Sequence, residues 1–146
     1  PPRSTPLYSS AASDVYKRQL YQSASVIIGR KGTIDTPMYI DRPFWAIDTT
    51  YYTEIFDNTS VKFIFYMLNE IDWMSYNEAS GVPSLNATTL EMIEVYYPPT
   101  DEQTAIAALL SDIDNEITAL EAQRRKTADL KQAMMHELLT GKTRLI

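Results

Sequence analysis

Residues 98–141 read PPTDEQTAIAALLSDIDNEITALEAQRRKTADLKQAMMHELLTG, and this stretch decides the architecture. Pro98 and Pro99 end whatever precedes them. Thr100 or Asp101 can cap free amides, and Glu102 or Gln103 stands near the third helical position that a capping box uses. Gly141 supplies the stop. Between Asp101 and Leu139 there is neither Gly nor Pro, and apolar residues recur at Ile106, Leu110, Ile113, Ile117 and Leu120. Their spacing alternates between four and three, which is a heptad seam. The same phase continues through Arg124, Thr127 and Lys131 to Met134 and Leu138, giving the seam a polar waist. One helix over residues 101–139 would run roughly 58 Å at about 1.5 Å per residue. Such a stripe needs a second long helix, from another copy, another segment of a longer parent or another subunit. A place in an ordinary bundle is the alternative, but no pattern of comparable length occurs elsewhere in the chain.

Upstream, the helical period returns over residues 61–73, where Phe63, Ile64, Met67, Leu68 and Ile71 share a face and Asn58, Thr59 or Ser60 can cap it. Residues 25–28, Ser-Val-Ile-Ile, form a β-prone run closed by Gly29-Arg30-Lys31-Gly32 and resumed at Thr33 and Ile34. Residues 37–40 and 44–52 predict two or three more strands. Ile47, Thr49 and Tyr51 alternate in the latter, and residues 54–56 are a further extension. Residues 80–86, SGVPSLN, are turn chemistry, followed by a helical turn or strand over 90–97.

The expected fold is α+β: a disordered tail or foreign junction at 1–19, a small mixed α/β unit at 20–98, a coiled-coil-forming helix at 99–141 and a frayed end at 142–146. The Pro, Ser and Ala content of 1–19 and the lack of an initiating Met fit a fragment.

Composition narrows the chemistry. A hydrophobic fraction of 45% supports a packed core in a chain of 146 residues. With no Cys there are no disulfides, thiolate zinc sites or Cys nucleophiles, and one His, His136, cannot make a histidine-rich metal site. No membrane span or signal pattern is visible, so a soluble, cytoplasmic protein is expected and the glycosylation matches at Asn58 and Asn86 carry no meaning. The net charge of −6 argues against a broad basic surface for polyanions, though not against a local basic site.

Several look-alikes fail. Tyr97-Pro98-Pro99-Thr100 lacks both end residues of a methyltransferase loop and serves as helix punctuation. Gly141-Lys142-Thr143 follows a helix where a phosphate loop must precede one. Asp112, Asp114 and Glu116 read as a solvated helix face, and His136 suits the helix dipole. The positive candidate is Gly29-Arg30-Lys31-Gly32-Thr33. Flanking glycines let backbone approach a phosphate or base edge, Arg pairs bidentately with guanine, and Lys adds a point charge. On residue types alone the signal is weak, and a solvated hairpin turn explains the segment equally well or better.

Taken in order, SVIIGRKGTI (25–34), PFWAIDTTYY (43–52), SGVPSLN (80–86), PPTDEQTAIAALLSDIDNEI (98–117) and LLTGKTRLI (138–146) resemble the specificity subunit of type I restriction-modification enzymes, over residues 20–146. The order of Pro-Pro, Glu-Gln, a heptad helix and Leu-Leu-Thr-Gly-Lys-x-Arg is distinctive. The resemblance implies a non-catalytic DNA-recognition subunit with two target recognition domains, each reading half of a split sequence, separated by antiparallel helices that act as a ruler. It implies two methyltransferase subunits as partners, which bring the S-adenosylmethionine chemistry, and indirect recruitment of the translocase and nuclease.

This chain would be the later part of one recognition domain plus its spacer helix, as a truncated end or as a half-subunit that pairs with a copy. Arg30 and Lys31 would lie near double-stranded DNA, with Gly29 and Gly32 shaping the turn and Thr33 completing it. Ser80, Ser84 and Asn86 match a second family loop, whose role is DNA contact or docking of the domain on its helix. Ile106, Leu110, Ile113, Ile117, Leu120, Met134 and Leu138 would form the helix pair. A coiled-coil scaffold without DNA contact is the competing class, and an enzyme, for want of cofactor and phosphate loops, a poor third.

Overall fold

The computed structural model describes residues 7–9, 20–55, 59–95 and 98–145. The chain divides into two compact units, residues 1–107 and 108–146. The architecture is α+β, small antiparallel sheets together with a 40-residue helix.

The first unit is built around β3 (Ser25–Gly29), the β-branched run of the sequence. Its neighbours are β6 (Thr50–Thr53) on one side and β4 (Met38–Ile40) on the other, both antiparallel, and β1 (Leu7–Ser9) adds to the far edge of β6. The sheet order is therefore β1-β6-β3-β4, with Ile28 opposite Tyr51 and Val26 opposite Tyr39. A two-stranded ribbon, β2 (Leu20–Tyr21) with β5 (Phe44–Trp45), is joined to this sheet by aromatic packing. The Tyr21 ring centroid lies 5.4 Å from that of Phe44 and 5.0 Å from that of Tyr52. Apart from β1, the segment 1–19 lies outside the described residues.

The predicted helix over 61–73 forms as α1 (Val61–Asn69), with Ser60 as its cap. It ends earlier than the apolar period suggests because Trp73 folds back: its indole Nε1–H donates to the Leu68 carbonyl at 2.8 Å, satisfying a terminal carbonyl, and the ring is buried. A short 3-10 turn at Trp73–Tyr76 follows. Phe63, Ile64 and Leu68 of α1 join Val26, Ile28, Tyr51, Trp73, Leu85 and Leu90 in one core. Each such fully buried large side chain contributes about 1.5–3 kcal/mol.

Two expectations change in detail. Residues 46–49 are not strand: the Ile47 carbonyl accepts both Thr50 N–H at 3.0 Å and Thr50 Oγ1–H at 2.9 Å, forming a turn that leaves Ile47 58% exposed while Tyr51 is buried. The helical turn or strand expected over 90–97, whose last two residues lie outside the described ones, is a helical turn that comes earlier, as α2 (Ala87–Glu91), where the Asn86 side chain accepts from Thr88 N–H.

The long helix is α3 (Thr100–Leu139). Gln103 does not complete a capping box within it. Its side chain is buried, with Oε1 accepting from Ser60 N–H at 3.1 Å and Nε2–H donating to the Pro98 carbonyl at 2.8 Å, so it ties the start of α3 to the start of α1. Ala107 is buried in the core and Ile106 packs against it.

In the second unit, residues 108–146, the apolar stripe is open: Ile113 is 45%, Ile117 49% and Leu120 56% exposed. Met134 is exposed and Leu138 half-buried, and with Leu130 and Met135 they line a shallow apolar hollow. Among the described residues no helix is long and apolar enough to cross a membrane.

Candidate nucleic-acid interface

The turn after β3 is shaped by its two glycines. A Cβ on Gly29 would overlap the Thr33 carbonyl oxygen, so no larger residue fits there. Gly32 sits at φ +83°, a region that L side chains rarely occupy, and its carbonyl accepts from Ile34 N–H at 3.0 Å. Between them Arg30 is held at three levels. Its N–H donates to the Thr49 carbonyl at 2.8 Å, and its own carbonyl accepts from Leu85 N–H at 3.0 Å. Its Nη1–H donates to the Asp48 carbonyl at 3.4 Å, and its guanidinium carbon lies 5.9 Å from the Tyr51 ring centroid. Lys31 and Thr33 are exposed.

The second segment is stitched directly to this turn. Gly32 N–H donates to the Pro83 carbonyl at 2.9 Å, and Lys31 pairs with Ser84 in an isolated antiparallel bridge. Residues 29–33 and 83–85, which are far apart in sequence, thus form one surface. The loop that carries Ser84 is organised by Asn77, whose Oδ1 accepts from Ala79 N–H at 3.1 Å and from Ser84 N–H at 3.0 Å. Glu78 adds a backbone bond to the Ser84 carbonyl and a short hydrogen bond between its side chain and that of Thr89.

Ser80 is exposed on this loop, and Ser84 is half-buried beside Lys31. Asn86 is exposed, with its side-chain oxygen committed to capping α2. The seam residues of α3 belong to a different region: Ile106 faces the core of the first unit, and the others lie on the second unit.

Asn77 and the carbonyls of Asp48 and Thr49 carry no signal in the sequence, and Tyr51 reads there only as a strand residue. Burial holds the Tyr51 phenol above its ordinary pKa, with the Arg30 charge opposing and Glu78 adding to the rise. The hydroxyl is therefore a donor throughout the physiological range, and it donates to the Leu85 carbonyl at 3.0 Å. Its only sequence signal is a strand Tyr at the end of an alternation that its loop interrupts. Among the described residues no group of three His, Asp or Glu side chains could hold a metal ion.

Residues 8–130 match the family described as type I restriction modification DNA specificity domain. The chain is 28% identical over 120 residues to the type I restriction enzyme MjaVIII specificity subunit of Methanocaldococcus jannaschii, a stretch covering 81% of this chain and 26% of that protein. It is also 39% identical over 57 residues to a putative type I restriction enzyme MjaX specificity subunit of the same organism, across 39% of this chain and 13% of that one. The chain thus spans about a quarter of the length of the first of these relatives. The family match begins at residue 8, taking in part of the segment that the resemblance read from sequence leaves out. With the match extending from β1 well into α3, the chain belongs to the family of type I restriction-modification DNA specificity domains.

Proposed function

We propose that this chain reads one half of a bipartite DNA target and scaffolds methyltransferase subunits through its long helix, as a non-catalytic, cytoplasmic part of a type I restriction-modification complex. The observation that carries the reading is the stitching of residues 29–33 to residues 83–85. It brings the exposed Lys31 and the half-buried Arg30 and Ser84 to one edge, with Ser80 and Asn86 on the same loop. Arg30 supplies a planar fork for a base edge and Lys31 a phosphate contact; Gly32 and Thr33 allow the close approach of backbone, and Gly29, packed against the Thr33 carbonyl, shapes the turn. The open stripe of Ile113, Ile117 and Leu120, continued by Met134 and Leu138, supports pairing with a second spacer helix, with Leu110 at its start and Ile106 just before it, partly taken up by the core of the first unit. The translocase and nuclease join through the methyltransferase subunits.

The test is a mobility-shift and pull-down series on the parent-length protein with its methyltransferase subunits, comparing wild type with the Arg30→Ala/Lys31→Ala variant as salt is raised. Sequence-selective binding lost in the variant, with the salt slope reduced by about one phosphate contact, supports the reading. Complete assembly with unchanged DNA binding would favour the scaffold without DNA contact, in which the two cations are solvated turn residues.

A further inference from the structure

We propose that Tyr51 is a positioning residue for DNA reading, holding the Arg30 guanidinium and the segment at residues 83–86 in one fixed arrangement. The proposal rests on the DNA-reading role given above to Arg30. Three contacts close a circuit. The Tyr51 ring faces the Arg30 guanidinium, with 5.9 Å between the centroid and the guanidinium carbon. The Tyr51 hydroxyl donates to the Leu85 carbonyl at 3.0 Å, and Leu85 N–H donates to the Arg30 carbonyl at 3.0 Å. Leu85 therefore has both backbone groups committed, one to each member of the pair.

Tyr51 itself cannot move to accommodate a displaced partner. It is 1% exposed, lies opposite Ile28 on β3 and is packed in the core. An arginine reads guanine only when its planar fork is presented in one orientation. An aromatic face within about 6 Å of the cation restricts that orientation before DNA arrives. The Asp48 carbonyl, 3.4 Å from Nη1, restricts it further. A buried tyrosine hydroxyl needs a partner in any core, so the bond to Leu85 is common to both roles; the cation over the ring is what a core role alone does not require.

The experiment uses the parent-length subunit assembled with its methyltransferase subunits. The probes are the duplexes that the wild-type assembly selects from a random-sequence pool and a scrambled control, and the readout is the ratio of the two affinities. Tyr51→Phe removes the hydroxyl and keeps the ring; Tyr51→Leu removes both. The step between these variants isolates the ring. With Arg30 present, that step is expected to lower the ratio by about tenfold, the scale of one specific base contact. With Arg30→Ala it is expected to change nothing, because the ring acts through the guanidinium. Tyr51→Met takes the place of the leucine variant if the latter does not fold. Equal losses in both backgrounds would overturn the proposal and make Tyr51 an ordinary core residue. If Arg30→Ala alone leaves the ratio unchanged, the DNA-reading role of the turn fails first and the proposal falls with it.

Discussion

The two units of the chain dispose of their apolar residues in opposite ways. In the first, residues 1–107, the periodic apolar positions turn inward: Val26, Ile28, Ile64, Leu68, Trp73 and Leu90 are all buried. In the second, residues 108–146, equally regular positions at Ile113, Ile117 and Leu120 are about half exposed. Periodicity reports only that apolar residues share a face, not where a partner for that face comes from. A single amphipathic helix cannot bury its own stripe, and this one has no described neighbour that does. Under the proposed pairing the contrast separates stability from assembly: substitutions in the first unit are expected to act on folding, and those in the second on association.

The largest expected effect tests the first half of that contrast. Trp73→Ala removes a fully buried indole and leaves the Leu68 carbonyl without its donor. A loss of about 3–5 kcal/mol in urea unfolding of the first unit is expected. A loss under about 1 kcal/mol would mean that the C-terminal end of α1 does not depend on Trp73. The matching substitution in the second unit is Ile117→Asp. Under the proposed pairing it places an unpaired carboxylate in a buried seam, at a cost of about 2–4 kcal/mol to association. Sedimentation of the parent-length complex should show the helix pair lost while unfolding of the first unit is unchanged. Assembly that survives Ile117→Asp, or the same change at Ile113, would sink the seam assignment.

Gln103 stands where the contrast could be blurred, since it belongs to the long helix yet serves the first unit. Gln103→Ala leaves Ser60 N–H and the Pro98 carbonyl without partners, and about 2 kcal/mol of stability should go with them. If thermal melting of the first unit is unmoved, the first turns of α3 are a passive lead into the spacer rather than part of the domain.

Much of this was open to a reader of sequence, and the remainder has physical causes. The long helix and α1 were legible because a 3.6-residue period is local, and α3 begins within one residue of the predicted start. The strand at 44–52 was legible only at its ends. Alternation at Ile47, Thr49 and Tyr51 mimics a strand, but the two bonds that Thr50 makes to the Ile47 carbonyl turn the chain and put Ile47 outside. The candidate site was legible as two pieces, residues 29–33 and 80–86, and not as one surface. Nothing local in either segment encodes the bridge from Lys31 to Ser84 or the bond from Tyr51 to Leu85. Gln103 was noticed for a local cap and serves a long-range tie instead, for the same reason.

The smallest effect sharpens the comparison within the candidate site itself. Gly29 and Gly32 flank the same two cations, but the structure constrains them differently. At Gly29 the obstacle is steric, the Thr33 carbonyl, whereas at Gly32 there is open space and the obstacle is the backbone angle alone. Gly32→Ala should therefore fold with a penalty of about 1–2 kcal/mol, the cost of a left-handed conformation for an L residue. Because Gly32 N–H also donates to the Pro83 carbonyl, relief of that strain would come by loosening the stitch between the two segments. Amide exchange at Gly32 and Leu85 is the measurement that distinguishes the two responses. Protection retained at both positions means that the stitch holds and the strain is simply borne. Faster exchange at both, with the core amides of β3 unchanged, means that the turn and the loop separate before the fold is lost, as expected if the pair is held mainly by backbone bonds at the edge of the domain.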